Sequence, residues 1–251
     1  MISLRNIIPH TEGEFSKVLN SFYVYTGDTN DSFVQKQCQL YGNWDTELTS
    51  WMINNISAGW TCLDIGANIG YFTELMAILS GPNGRVLSFE PIKYLVDKSI
   101  EAESLNDYTN SAPIDRFPLA LSDKDGESSI YIWDSNVGAS MVIDSDIPDN
   151  YLQWGSYKKD TIETKRLDSV YSGEIDFMKI DVENHEELVF RGFGENAKNC
   201  PLIVAELGNQ QPVKFLEELS SIYNMSRLDG LKADVNEIMK HGIINILLEK
   251  K

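Results

Sequence analysis

Between Thr61 and Phe72 the chain reads Thr-Cys-Leu-Asp-Ile-Gly-Ala-Asn-Ile-Gly-Tyr-Phe, and this stretch limits the available folds more than any other. Thr61 to Ile65 is a short apolar, β-prone run with no helical period. Gly66 to Gly70 breaks it, and a helical pattern resumes at Phe72, Leu75, Met76 and Leu79. The segment therefore predicts a strand, a tight turn and a helix. Small residues at such a turn let the backbone approach a ligand closely, and the carboxyl end of a buried parallel strand opens into a crevice.

The glycine spacing and Asp64 narrow the ligand. A dinucleotide site needs Gly-x-Gly-x-x-Gly and offers helix amides to a pyrophosphate. Here the turn is Gly66-x-x-x-Gly70, with Asn68 where the second glycine would fall and the Asp64 carboxylate just ahead. A carboxylate suits a cation. S-adenosylmethionine carries a sulfonium and an α-ammonium and no phosphate, so Asp64 is expected to pair with the ammonium directly or through water. The next apolar run, Arg85 to Glu90, also ends in an acid. A carboxylate at that strand tip is placed to accept hydrogen bonds from both ribose hydroxyls. Either acid alone reads equally well as a helix cap or a solvated loop end. The ordered pair, each at a strand end, argues for an adenosyl ligand, and S-adenosylmethionine is the expected cofactor.

At 251 residues, 42% hydrophobic and 24% charged, the chain is long enough to bury a sizeable core as one compact unit. Within it, residues 1–60 read as an N-terminal helical or capping segment and residues 61–251 as the ligand-binding domain. The net charge of −17 comes from acids scattered along the chain, which disfavours a phosphate-backbone partner, so nucleic acid is not expected. Cys38, Cys62 and Cys200 are widely spaced without a Cys-x-x-Cys pair and read as buried reduced thiols of a cytoplasmic protein. No apolar run approaches the ~18 residues of a membrane span, and the N-terminus lacks a basic start followed by a sustained apolar stretch. Self-association into a homo-oligomer is neither indicated nor opposed.

Beyond Glu90, Pro91 suits a first helical turn, and Leu95, Val96, Ile100 and Leu105 carry a helix to Asn106. A strand is expected near Phe117 to Leu121, then turn chemistry from Ser122 to Gly126. Ser128 to Trp133 alternates like an exposed strand, which predicts an inserted β-hairpin. Residues 134–160 read as a long loop or flap over the acceptor site. Strands follow at Ile162 to Leu167, Ile175 to Asp181, Pro201 to Glu206 and Ile243 to Leu248. Helices are expected from Glu183 and over Pro212 to Tyr223, while the first 60 residues look mostly helical with one strand around Phe22 to Tyr25. Alternating strands and helices make a mostly parallel sheet covered on both faces. Asp64, Glu90, Asp123 and Asp181 are then all expected to face one crevice.

Five segments in order, Leu63 to Thr73, Ser88 to Pro91, Ala120 to Gly126, Arg166 to Ser169 and Asp176 to Glu183, resemble the motifs of the FkbM-like S-adenosylmethionine-dependent methyltransferases. The resemblance runs from about Tyr41 to the C-terminus, and the Lys-Ile-Asp-Val-Glu segment after a strand is what narrows it beyond class I methyltransferases in general. It implies an α/β, Rossmann-like class I fold with a mostly parallel seven-stranded sheet. It also implies that Asp64, Gly66, Ala67, Asn68, Gly70 and Tyr71 shape the methionine side of the cofactor pocket. Glu90, beside Pro91, would hold the ribose, and Asp123, beside Leu121 and Ser122, would lie near the adenine. Asp181 and Glu183 would line the reaction centre, with Asp181 also touching the cofactor. Where the family continues Glu-Gly-x-Glu, this chain has Glu183-Asn184-His185-Glu186; Asn tolerates the left-handed conformation that glycine allows, so the turn survives.

Methyl transfer from a sulfonium asks the protein to align an acceptor and, for a neutral hydroxyl, to take its proton. Asp181, Glu183 and His185 are the candidates; His185 has a suitable unperturbed pKa but reads more readily as a helix N-terminal residue capping or packing beside Glu183. Asp181 and Glu183 alone are a thin ligand set for a divalent cation, so no metal is expected. Tyr131, Trp133, Tyr151, Trp154 and Tyr157 suit stacking on a sugar or ordinary packing. The expected activity is O-methylation of a hydroxyl on a small molecule, sugar or glycan. N-methylation of a small molecule stays open, although the Asn/Asp-Pro-Pro-aromatic segment of nucleic-acid amino-methylating enzymes is absent. A non-catalytic cofactor-binding module acting as an assembly partner is the remaining alternative.

Overall fold

The computed structural model describes residues 2, 4–27, 33–143 and 155–251. The chain begins with a three-stranded antiparallel sheet, β1 (His10–Glu12), β2 (Phe15–Val18) and β3 (Phe22–Tyr25), followed by α1 (Phe33–Tyr41) and α2 (Thr46–Asn55). The expectation of a mostly helical N-terminus is therefore corrected for residues 10–18, while the strand expected around Phe22 to Tyr25 is β3. The turns between these strands use left-handed residues at Gly13, Leu19 and Asn20, and a leucine at positive φ is not a turn signal that sequence offers.

The body follows: β4 (Thr61–Ile65), α3 (Tyr71–Ser80), β5 (Arg85–Phe89), α4 (Lys93–Ala102), β6 (Ile114–Phe117), β7 (Ala120–Leu121), β8 (Gly126–Trp133) and β9 (Asn136–Val142). After these come β10 (Tyr157–Lys165), α5 (Leu167–Val170), β11 (Phe177–Ile180), α6 (Glu186–Arg191), α7 (Glu195–Lys198) and β12 (Leu202–Gly208). The last elements are α8 (Val213–Ile222), β13 (Tyr223–Arg227), α9 (Val235–Ile238) and β14 (Ile243–Lys250). Seven strands form the main sheet in the order β13-β14-β12-β11-β4-β5-β6. The pairs β6–β5, β5–β4, β4–β11 and β11–β12 are parallel, and β14 runs antiparallel to both β12 and β13. This is the mostly parallel seven-stranded α/β sheet that the resemblance implied.

The pleat of this sheet sorts the side chains that matter. Leu63 and Ile65, Leu87 and Phe89, Met178 and Ile180, and Ile203, Ala205 and Leu207 pack on one face. Cys62, Val86, Phe177 and Val204 pack on the other, against Tyr71, Phe72, Leu75 and Met76 of α3 and against the N-terminal sheet. Asp64, Ser88 and Lys179 are neighbours in register on that second face, near the carboxyl ends. Glu206, four residues beyond Leu202 in β12, shares the parity of Val204 and falls on the same face.

The inserted hairpin is larger than the sequence suggests. Strands β8 and β9 join β7 and β10 in a second, four-stranded sheet of order β7-β10-β8-β9. Residues 136–142 and 157–160, expected to be loop, are thus strand. Gly138 and Ala139 have low β propensity, and β9 pairs with β8 on either side of them, at Asn136 and at Met141 and Val142. Tyr151 and Trp154 lie outside the described residues, as does the rest of the expected flap from 144 to 154. The three cysteines are buried free thiols. Among the described residues no helix is long and apolar enough to cross a membrane.

Candidate active site

A cavity of about 290 Å³ opens at the carboxyl ends of β4, β5, β11 and β12. Its floor is the turn after β4, with Gly66, Ala67 and Asn68. One end is Glu90, Pro91 and Ile92, backed by Leu119 and Leu121; the other is Asp181, Val182, Glu183, His185 and Glu206. Phe33, Val34 and Trp44 from the N-terminal segment, with Asn136, Val137 and Gly138 from β9, close it from above.

The turn needs its glycines. Gly66 sits at φ 81°, and a Cβ there would lie 1.8 Å from the Asp181 carbonyl oxygen. Gly70, at φ 82°, caps α3, and a Cβ would meet the Ser99 hydroxyl at 2.6 Å. Asn68 takes a left-handed φ of 50°, which aims its backbone amide at Glu90. The Glu90 carboxylate accepts that amide at 2.8 Å and the Ile92 amide at 2.8 Å. Burial pushes the Glu90 pKa up to about 7, against the two amides that favour the charged form.

Asp64 is not at the cavity wall. Its place in the pleat turns it under the floor, where it is 0% exposed and accepts the Thr73 hydroxyl at 2.6 Å. Lys179 stands above it: the ammonium is 3.5 Å from Asp64, 3.2 Å from Asp181, and donates to the Gly66 carbonyl at 2.8 Å. Burial opposes the Lys179 charge, but Asp181 and Asp64 outweigh it and hold the group protonated. Asp64, expected to pair with the ligand's ammonium directly or through water, lies outside the cavity lining, where its carboxylate supports Lys179 and, through it, the turn.

Asp123 also falls outside the cavity lining. It belongs to the turn after β7, in the second sheet, where its carbonyl accepts Arg166 at 3.1 Å and its carboxylate receives the Ser122 hydroxyl at 3.3 Å. Ser122 is buried and lies 3.1 Å from His185 Nε2, so it acts behind the wall and ties the β7 turn to the turn after β11. Tyr71 lines the cavity, with its hydroxyl 3.1 Å from Thr49. Of the four acids expected over one crevice, Glu90 and Asp181 line it.

The turn after β11 departs from the expected helix start. Glu183 and Asn184 are both left-handed, at φ 51° and 73°, and α6 begins only at Glu186. Asn184 occupies its position as anticipated. A non-glycine left-handed Glu183 stores strain of about 1–2 kcal/mol, the kind found where a side chain is held for use. Here it turns Glu183 onto the wall. Burial, then the charges of Asp181 and Glu186, push its pKa up to about 8.

Two wall residues escaped the sequence reading. Lys179 is hidden in an apolar run, although its parity with Asp64 is a usable signal. Glu206 ends the run Leu-Ile-Val-Ala-Glu as Glu90 ends its own, so the same strand-tip reasoning applies to it. Burial, then Asp181 and Glu183, push the Glu206 pKa up to about 10. Asp181, Glu183 and Glu206 each offer a carboxylate oxygen within 4.8 Å of the others. The cluster thus has three carboxylates rather than the two anticipated, enough to contribute to a divalent-cation site.

Residues 64–235 match the Methyltransferase FkbM domain. The chain belongs to the FkbM methyltransferase family. The matched span holds the Gly66 turn, Glu90, the carboxylate cluster and the inserted sheet, so every part of the cavity except its N-terminal cover lies within the FkbM domain. No curated protein matches the chain. Among solved structures, an FkbM methyltransferase from Methylobacillus flagellatus is 13% identical with a TM-score of 0.45, over 75% of this chain and 43% of that one. The chain thus spans less than half the length of that protein. A TehB-like SAM-dependent methyltransferase from Corynebacterium glutamicum is 11% identical, TM-score 0.47, over 86% and 94%. A precorrin-6y C5,15-methyltransferase from Geobacter metallireducens is 13% identical, TM-score 0.46, over 89% and 95%.

Proposed function

We propose that this FkbM-family chain uses S-adenosylmethionine to methylate a hydroxyl of a small molecule, sugar or glycan. The observation that carries the reading is the polarity of one cavity: a ribose-type carboxylate, Glu90, at one end and the Asp181–Glu183–Glu206 cluster at the other. The residues fit the cofactor. Glu90 reaches the wall between two amides, Pro91, Ile92 and Leu121 give an apolar slot beside it, and Gly66 leaves the floor open. When bound, S-adenosylmethionine supplies the activated methyl group.

The chain's own residues have the remaining tasks. Glu90 accepts ribose hydroxyls, Lys179 fixes the Gly66 turn against Asp181, and the cover formed by Trp44 and β9 limits water. Glu183 takes the acceptor proton: its raised pKa makes it a stronger base than an ordinary carboxylate while leaving it ionisable near neutrality. Asp181 is engaged by Lys179 and His185 by Ser122, which ranks both below Glu183.

The Lys179 ammonium already serves the cluster as counter-cation, so no step requires a metal ion. Turnover is expected to persist in excess EDTA; loss restored by magnesium would show that the three carboxylates work through a cation. Amine acceptors have one observation in their favour, the excess of carboxylates over the single Lys179. A screen with methyl-labelled cofactor over sugars, nucleotide sugars, lipid-linked glycans and small amines separates the two. Labelled hydroxyl products support O-methylation, labelled amines replace it, and S-adenosylhomocysteine binding without any product leaves a non-catalytic module. Buried reduced thiols at Cys38, Cys62 and Cys200 agree with residence in the cytoplasm.

A further inference from the structure

The inserted sheet contributes more than cover. Asn136 opens β9 directly after the Asp134-Ser135 turn, and its side-chain oxygen is buried with no hydrogen-bond partner. The Asn68 side-chain oxygen, on the turn after β4, is in the same condition. Both residues line the cavity, and both amides abut Gly138: a Cβ built there would stand 3.1 Å from Asn68 Nδ2 and 3.2 Å from Asn136 Oδ1. The missing side chain at Gly138 keeps a niche between the two amides. Buried acceptors left unpaired are costly, and native proteins retain them where strain, catalysis or a bound water, ion or ligand accounts for them. The niche lies next to Glu90, since the Asn68 backbone amide donates to that carboxylate at 2.8 Å.

We propose that Asn136, facing Asn68 Nδ2 across the Gly138 niche beside Glu90, accepts an O–H or N–H donor of the bound adenosyl ligand, so that the inserted strand β9 supplies a cofactor contact. The proposal rests on the methyltransferase reading and adds a cofactor ligand from outside the Rossmann-like core. The uncharged Asn136 oxygen suits a hydroxyl or an ammonium, while the Asn68 amide N–H groups beside it are donors. Two parts of the ligand offer such a donor to Asn136, the ribose hydroxyls and the α-ammonium.

The test is calorimetric titration of wild type, Asn136→Leu and Asn136→Asp with S-adenosylhomocysteine and with 5′-methylthioadenosine, which keeps the ribose and lacks the ammonium. Asn136→Leu preserves bulk and removes the acceptor; thermal melting checks that each variant is folded, and Asn136→Ala replaces Asn136→Leu if the latter unfolds. Loss of one buried hydrogen bond weakens binding about 5- to 20-fold. A loss of this size for both ligands, restored by Asn136→Asp, assigns the contact to the ribose. A loss for S-adenosylhomocysteine alone, likewise restored, assigns it to the ammonium. Affinities within about twofold of wild type, or an equal loss in Asn136→Asp, overturn the contact. If wild type binds neither ligand, the methyltransferase reading itself fails and takes the contact with it.

Discussion

Glu183→Gln lowers kcat by about 10²–10⁴-fold and leaves S-adenosylhomocysteine affinity within about twofold, as expected when general-base catalysis is removed from a site that still binds. The substitution keeps shape and removes a wall carboxylate whose pKa is pushed up to about 8 by burial, Asp181 and Glu186, with the Lys179 charge opposing them. The pH profile carries an independent sign. A base must be ionised, so wild-type kcat rises with pH and levels off above about 8, following the raised Glu183 pKa. In Glu183→Gln the residual rate loses that rise. Asp181→Asn is expected to affect cofactor affinity as well as kcat, because the Lys179 bridge to the Gly66 turn loosens with it. His185→Gln is expected to cost least. Normal turnover in all three variants would mean that catalysis here is alignment alone.

Gly66→Ala is expected to be the most damaging single methyl group in the chain. Its Cβ would sit 1.8 Å from a backbone oxygen of the adjacent strand end, and φ 81° is strained for any L side chain. Strand β11 would have to move away from β4, taking Asp181 from its position and breaking the Lys179 bond to the Gly66 carbonyl. The combined overpacking and backbone strain amount to about 3–5 kcal/mol. Gly59→Ala is the control: φ is 89° but nothing lies within 4 Å, so only the conformational cost of about 1–2 kcal/mol remains. Denaturant unfolding of both variants separates the terms. Equal losses would show that the close approach at Gly66 relaxes freely.

The main sheet was legible because its signals are local and redundant. Leu63 to Gly70 names a strand, turn and helix by period and glycine, and the strand-end position of Glu90 places it on the cavity wall. What was not legible depends on direction and on distant pairing. Asp64 and Ile65 are adjacent in sequence, yet the pleat sends Asp64 beneath the floor, and only register with Lys179 and contact with Thr73 reveal it. Asp123 was read as part of the crevice because β6 and β7 looked like one strand. The chain passes between two sheets there, and the turn after β7 leaves the wall. Glu206 carried the same signal as Glu90 and was open to the same reasoning. The Asn68–Asn136 niche brings together residues of different sheets and has no sequence signature.

The most direct test of the account is titration of S-adenosylhomocysteine into wild type, Glu90→Ala and Asp123→Ala, each confirmed folded by melting. Glu90 lines the cavity and accepts hydrogen bonds, worth roughly 1.5–3 kcal/mol each when charge-assisted, whereas Asp123 is not part of the lining. The account predicts measurable binding to wild type, a loss of at least about tenfold in Glu90→Ala, and near wild-type affinity in Asp123→Ala. Equal affinity in all three, or a larger loss in Asp123→Ala, would place the adenosyl ligand elsewhere and contradict it.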